Sequence, residues 1–350
     1  MQAGYYRFPT IQNNAVVFAS EDDLWTVSAE GGIARRLTSG LAEATRPALS
    51  PDGNLLAFTG REEGQPEIYL MPALGGQARR LTFMGGSQCW TLGWTVDKRI
   101  LFANNAKQPF NSLLYLHTVD IENGRVEQIN YGPARAISFG PGGAKVIGRN
   151  TGSPARWKRY RGGTAGQIWI DQKGNDDFQP LIGLEGNMAS PIWLEGRIYF
   201  LSDHEGIGNL YSCMPNGTDL KRHSDRETYY ARHAHSDGRR IVYHAGADLF
   251  VFDSAENSEK KINIDLHSPQ TQRNRKFVDA ASYLNSWNSH PAGHSMAITS
   301  RGKAFTFANW EGAIIQHGET DGARYNLLHW LNDAERLIAV TDQEGCLLYT

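Results

Sequence analysis

Apolar residues in this chain come in pairs of short runs separated by polar gaps, and the pair recurs eight times. The first run is typified by Val16-Val17-Phe18, Leu56-Ala57-Phe58, Ile198-Tyr199-Phe200 and Ile241-Val242-Tyr243. The second run ends in an aromatic each time: Trp25, Tyr69, Tyr115, Trp169, Tyr211, Phe250, Phe305 and Tyr349. Between these aromatics the steps are 44, 46, 54, 42, 39, 55 and 44 residues. Runs this short, rich in β-branched and aromatic residues and bounded by turn formers, read as strands. A repeat of about 40–45 residues is the spacing of four-stranded propeller blades. The pattern predicts an all-β chain of WD40-like (PD40-type) blades.

One repeat shows how the phrase makes a blade. Arg46-Pro47-Ala48-Leu49 reads as an inner strand and Ser50-Pro51-Asp52-Gly53 as a tight turn. Leu55 to Thr59 then forms the second strand, and Glu67 to Met71 the third. Gly75-Gly76 turns into an outer strand around Arg79-Arg80-Leu81-Thr82, a phrase that Arg35-Arg36-Leu37-Thr38 repeats 44 residues earlier.

Two steps are long. One carries an insertion at residues 150–166, with cations interleaved with Trp157 and Tyr160. The other carries a polar stretch at 265–276 without strand pattern, expected to be a linker. Six repeats precede that stretch, enough to close a ring. The last repeat stops within or just after its third strand, and only five residues precede the first inner strand, so eight repeats in one ring would lack a strand. The expected organisation is a six-bladed β-propeller over 1–264, a linker over 265–276, and the first two blades of a second, incomplete propeller over 277–350. The chain reads as a fragment.

Longer phrases carry a resemblance. Ser20-Glu21-Asp22-Asp23-Leu24-Trp25, the stretch Ala155-Arg156-Trp157-Lys158-Arg159-Tyr160-Arg161-Gly162-Gly163-Thr164, and Leu201-Ser202-Asp203-His204-Glu205-Gly206 are similar to the N-terminal part of the tricorn protease family. His290-Pro291-Ala292-Gly293 and Ser300-Arg301-Gly302-Lys303 resemble the start of that family's second propeller. The likeness spans essentially all 350 residues. It implies a cytosolic serine peptidase that trims oligopeptides without metal or organic cofactor. It also implies a seven-bladed second propeller, a PDZ-like domain and a catalytic core further along the same chain, and homo-oligomeric assembly. The nucleophile and its partners would lie in that later part, so no catalytic residue is expected here. Ser-Pro-Asp-Gly turns alone are shared with TolB-type propellers, and a free-standing binding scaffold is the alternative function.

Composition narrows the classes. With 35 basic and 37 acidic residues no global field points to nucleic acid or a membrane surface. No run approaches the ~18 apolar residues of a membrane helix, and Met1-Gln2-Ala3-Gly4-Tyr5-Tyr6-Arg7 lacks a signal-peptide pattern. Cys89, Cys213 and Cys346, odd in number and far apart, suit reduced thiols in a cytoplasm.

No G-x-S-x-G, H-E-x-x-H or phosphate-binding glycine loop occurs. His233 and His235 would alternate onto one strand face, with His223 and His244 nearby in sequence, but they read as strand polarity rather than zinc ligands. Asp22 and Asp23, adjacent on a strand, point to opposite faces and cannot serve one substrate atom. The basic–aromatic insertion has the composition of a single-stranded nucleic-acid groove, yet no second basic stripe supports it. Inner strands line a propeller channel. Alignment on the turns sets Arg232 level with Arg46, and a guanidinium pair at the channel mouth would hold the carboxylate of a peptide C-terminus. Arg46 and Arg232 are therefore the expected binding residues.

Overall fold

The computed structural model of the protein describes residues 4–40, 42–270, 281–319 and 322–343. The chain divides into two compact units, Met1–Gln272 and Arg273–Thr350.

In the first unit, each repeat folds into its own four-stranded antiparallel sheet, six among the described residues. The innermost strands are Arg7–Gln12, Ala44–Leu49, Cys89–Trp94, Ala136–Phe139, Met188–Leu194 and Ala231–Ser236. Second strands such as Ala15–Ser20 and Arg197–Ser202 are buried almost throughout, because sheets stack face to face and both faces are covered. Successive side chains on a strand point to opposite faces. Val17 and Ala19 accordingly join Leu56 and Phe58 between the first and second sheets, while Val16 and Phe18 join Val242 and Leu249 between the sixth and first. The same alternation sends Ile198 and Phe200 toward the fourth sheet, and Tyr199 and Leu201 toward the sixth. Six apolar clusters, one at each interface including sixth-to-first, complete the ring.

Each of the six four-stranded sheets is built from neighbouring segments of the chain, so closure exchanges no strand between them. The seam holds by packing of Tyr6, Phe18 and Trp25 with Val251, Ile262, Ile264 and Leu266. Backbone bonds reinforce it: Ile264–Asp265 pairs in parallel with Gly32–Ile33, and Tyr6 N donates to Ala247 O. This corrects the expected linker at 265–276. Asp265 is in the parallel pair and Leu266 is 2% exposed within the seam, so the first unit runs past 264. The stretch from 271 to 276 lies outside the described residues.

The repeated outer phrase has a specific use. Thr38 Oγ1 donates to Asp23 and accepts from Leu24 N, Thr82 Oγ1 does the same with Glu67 and Ile68 N, and Ser224 Oγ with Asn209 and Leu210 N. The preceding Arg36, Arg80 and Arg222 each donate from Nε to the carbonyl two residues on. Hydroxyl and guanidinium together tie the short outer strand to the start of the third.

The second unit holds a four-stranded sheet, Leu284–Ser289, Ser295–Ser300, Lys303–Ala308 and Ile315–His317, and a strand pair, Tyr325–Trp330 with Leu337–Thr341. Its core is small: Ala297, Ala304, Ala323, Tyr325, Leu328 and Ala339. The end of the last repeat lies outside the described residues.

Candidate functional site

The inner strands of all six sheets surround a central cavity of about 420 Å³. A register shift occurs in five of these strands, in Cys89–Trp94 between Thr91 and Gly93 and in the others between Arg7 and Thr10, Thr45 and Ala48, Ala189 and Ile192, and Arg232 and His235. At the last four a non-glycine residue with positive φ lines the channel: Phe8 (51°), Arg46 (50°), Ser190 (53°) and His233 (52°). Bulges of this kind re-aim side chains at functional sites.

The register corrects the sequence alignment of the two arginines. Arg232 pairs with His244 as Thr45 does with Thr59, and Ser236 takes the place of Leu49, not Ser50. The sixth hairpin loop is two residues shorter, and by register Arg46 corresponds to His233 and Arg232 to Thr45 and Arg7. Proline was the signal that could have found this. Pro9, Pro47 and Pro191 follow the bulged residue in three sheets, and proline in a strand marks a position outside the hydrogen-bond ladder.

Arg46 sits with its guanidinium carbon 4.5 Å from the centre of the Phe8 ring and 4.2 Å from that of Trp90. It has no hydrogen bond or ion pair to a described residue. Enclosure by the channel walls, with Arg135 and Arg232 adding to it, lowers its pKa to about 9, still cationic at neutral pH. Arg135, unforeseen from the sequence, lies 5.1 Å from the same Trp90 ring. It is 6% exposed; its Nη2 donates to Ser112 O at 2.7 Å, and its Nη1 is buried without a partner. Burial, then Arg156, lowers its pKa to about 10. Arg232 is already engaged, donating from Nε to Ser153 Oγ at 3.1 Å.

Ser153 belongs to the insertion, which lies over the start of several inner strands. Gly152 packs so closely on Trp90 that a Cβ there would come within 2.7 Å of the indole. Asn187 and the buried Asp203 hold the insertion from the fifth sheet. Asp203 accepts from Arg159 N at 2.6 Å and Asn187 N at 2.6 Å; the Asn187 side chain donates to Trp157 O and accepts from Gly166 N. Residues 156–159 are exposed, an outward basic–aromatic edge with Lys158 5.5 Å from the Tyr230 ring.

The histidines do not form a metal centre. His233 and His244 face each other at 5.3 Å between ring centres, but no cluster of three or more His, Cys, Asp or Glu among the described residues could hold a metal. The bulge breaks the alternation expected of His233 and His235; His235 instead bonds Thr10 Oγ1 across the seam at 3.2 Å. His244 Nδ1 lies 2.9 Å from Tyr6 O and must carry the hydrogen. Burial, with the Arg46, His244, Arg232 and Arg7 charges, pushes His233 well below the usual histidine range, and burial takes His235 and His244 to about 4. Asp23 is absorbed by Thr38 and Arg36, and burial raises its pKa.

One array has the polarity of a nucleophile, base and orienting group. Ser212 Oγ lies 2.7 Å from His223 Nε2, and His223 Nδ1 lies 3.1 Å from Asn257 Oδ1. Ser212 is 0% exposed, accepts from Arg197 Nε and lies inside a central strand. No substrate carbonyl can reach it. Burial lowers the pKa of His223. The array braces the outer part of the fifth sheet.

Residues 3–258 match the family model described as the tricorn protease N-terminal beta propeller domain. A tricorn protease homolog of Saccharolobus solfataricus is 35% identical over 350 residues, covering 98% of this chain and 32% of that protein. A putative tricorn-like protease N-terminal subunit of Sulfurisphaera tokodaii is 36% identical over 177 residues, covering 49% of this chain and 89% of the relative. The crystal structure of the tricorn protease superposes with a TM-score of 0.78 at 28% identity, covering 97% of this chain and 33% of that one. The chain thus spans about a third of the length of the first of these relatives and of the solved protease. On repeat, fold and relatives together, it belongs to the tricorn protease N-terminal β-propeller family.

Proposed function

We propose that the chain is the non-catalytic, substrate-guiding part of a tricorn-like cytosolic serine peptidase that degrades oligopeptides. In this reading the first unit is a six-bladed propeller whose channel takes part in peptide passage and assembly. The second unit opens a seven-bladed propeller. PDZ-like and catalytic domains follow on the same full-length chain, which works as a homo-oligomer. The observation that carries the reading is the channel itself. Its walls carry apolar residues, Pro9, Pro47, Pro191, Leu92 and Ile137, and its lining arginines Arg46 and Arg135 form no ion pair among the described residues. That suits an extended chain with a terminal carboxylate better than a small neutral ligand. Arg46 and Arg232 are the proposed contacts to that carboxylate. Cys89 and Cys213 are buried free thiols, which fits a reducing cytoplasm.

The test compares the 350-residue chain with a version extended through the rest of the family's length, each incubated with fluorogenic oligopeptides. Turnover by the extended protein and none by the chain alone is expected. Turnover by the chain alone that disappears in Ser212→Ala would overturn the reading.

A further inference from the structure

Arg46 and Arg135 present a problem of charge. Both guanidinium groups lie against one indole in a channel, burial lowers the pKa of each, and the Arg135 charge lowers that of Arg46 further. None of Arg46, Arg135 or Arg232 forms an ion pair with a described carboxylate. Asp237, the acidic residue of the cavity wall among those described, is committed to Arg240, whose Nε and Nη2 both donate to its Oδ2 in an ion pair. A buried charge without a counter-charge is costly. Here Arg135 is more than nine-tenths buried and its Nη1 hydrogens point to no acceptor. Arg46 has no hydrogen-bond partner for its guanidinium among the described residues, and the Phe8 and Trp90 ring centres lie 4.5 and 4.2 Å from it. Bracing by aromatic faces costs a guanidinium little of its donor capacity and fixes its orientation. Two planar forks on one platform, one wholly free and one half free, make a receptor for a group with several acceptor oxygens.

We infer that the channel holds a single oxyanion, a carboxylate or a phosphate group, between Arg46 and Arg135 with Trp90 as their shared platform. The assignment rests on the channel reading given above and changes it in one respect: the second guanidinium is Arg135. Arg232 spends its Nε on Ser153 and so ties the insertion to the sixth sheet. The site lies beside Gly152, so the insertion forms part of its wall.

Isothermal titration of the full chain with three probes tests the site: inorganic phosphate, a tripeptide with a free C-terminus, and the same tripeptide as its C-terminal amide. Phosphate and the free acid should bind. The amide should bind at least ~10-fold more weakly, the loss expected when charge-assisted hydrogen bonds are removed. Arg46→Gln touches no hydrogen bond of the fold and should weaken both anionic probes at least ~10-fold. Arg125→Gln, the same charge change on a residue 75% exposed at an outer hairpin, should change neither. Arg135→Gln should match Arg46→Gln; if loss of the Ser112 bond unfolds it, Arg135→Lys retains the charge, lacks the fork and should still bind more weakly. Binding of phosphate alone would keep the anion site and remove the oligopeptide from the channel. Equal binding of acid and amide, indifferent to Arg46→Gln, would keep the oligopeptide and overturn the anion site. No binding by any probe would overturn the site as well.

Discussion

Protonating His244 should loosen the seam that closes the ring. The imidazole is 2% exposed, its Nδ1–H is committed to Tyr6 O at 2.9 Å, and its Nε2 is buried with no partner. Its surroundings resist a positive charge: the Phe8 and His233 rings lie against it, and Arg232, Arg7 and Arg46 act on it through space. The folded pKa is about 4, against about 6.5 for an unfolded histidine. The unfolded chain therefore binds the proton at higher pH, so the stabilisation is fully present above about 6.5 and is lost as pH falls toward 4. Linkage gives a loss of about 2 kcal/mol between pH 7.5 and 5 from this one group, and about 3 kcal/mol by pH 4. Urea unfolding of the wild type and of His244→Asn, whose amide can still donate to Tyr6 O, isolates the effect by difference. The variant should lose about 2 kcal/mol less than the wild type over that pH interval. Equal pH slopes in the two proteins would refute the argument.

Other perturbations probe the remaining devices. Gly166→Ala places a Cβ 2.4 Å from the Met188 carbonyl oxygen, and a thermal melt should show a loss of about 1–3 kcal/mol. Asp203→Ala strands the Arg159 and Asn187 amides; trypsin should then cut earlier at Arg156, Lys158, Arg159 or Arg161, while the melt falls by about 1–3 kcal/mol. Thr38→Val, Thr82→Val and Ser224→Ala remove one device from three sheets, and each should cost about 1–2 kcal/mol in urea unfolding.

The strand plan was legible because burial on both faces forces continuous apolar second strands, and an aromatic ends each third strand. Val16-Val17-Phe18 and Glu67-Ile68-Tyr69 announce their places without any tertiary information. The channel was less legible. Its residues sit on bulges, and a bulge shifts register without altering composition, so counting back from Ser236 misplaced Arg232 by one residue. Arg135 precedes the strand Ala136–Phe139 and carries no repeat signal; only the ring brings it to Trp90. The insertion showed only its basic–aromatic composition, because its anchors, Asn187 and Asp203, lie in the next repeat. The seam strand at Ile264–Asp265 was too short to show a period, and the linker was set to begin at its second residue, Asp265. What the sequence withheld was contact between distant segments, which local pattern does not encode.

The account stands on a ring completed within the first unit, and hydrogen exchange tests that most directly. Amides of Leu55–Gly60 and Arg197–Ser202 should exchange slowly, and so should the seam strands Arg7–Gln12 and Arg240–Ala245. Those of Ser295–Ser300 and Leu337–Thr341, over a much smaller core, should exchange fast. Seam strands as fast as the second unit would mean that the ring is open between the sixth and first sheets. Equal protection in both units would mean that all eight repeats share one ring, and either result would contradict the account.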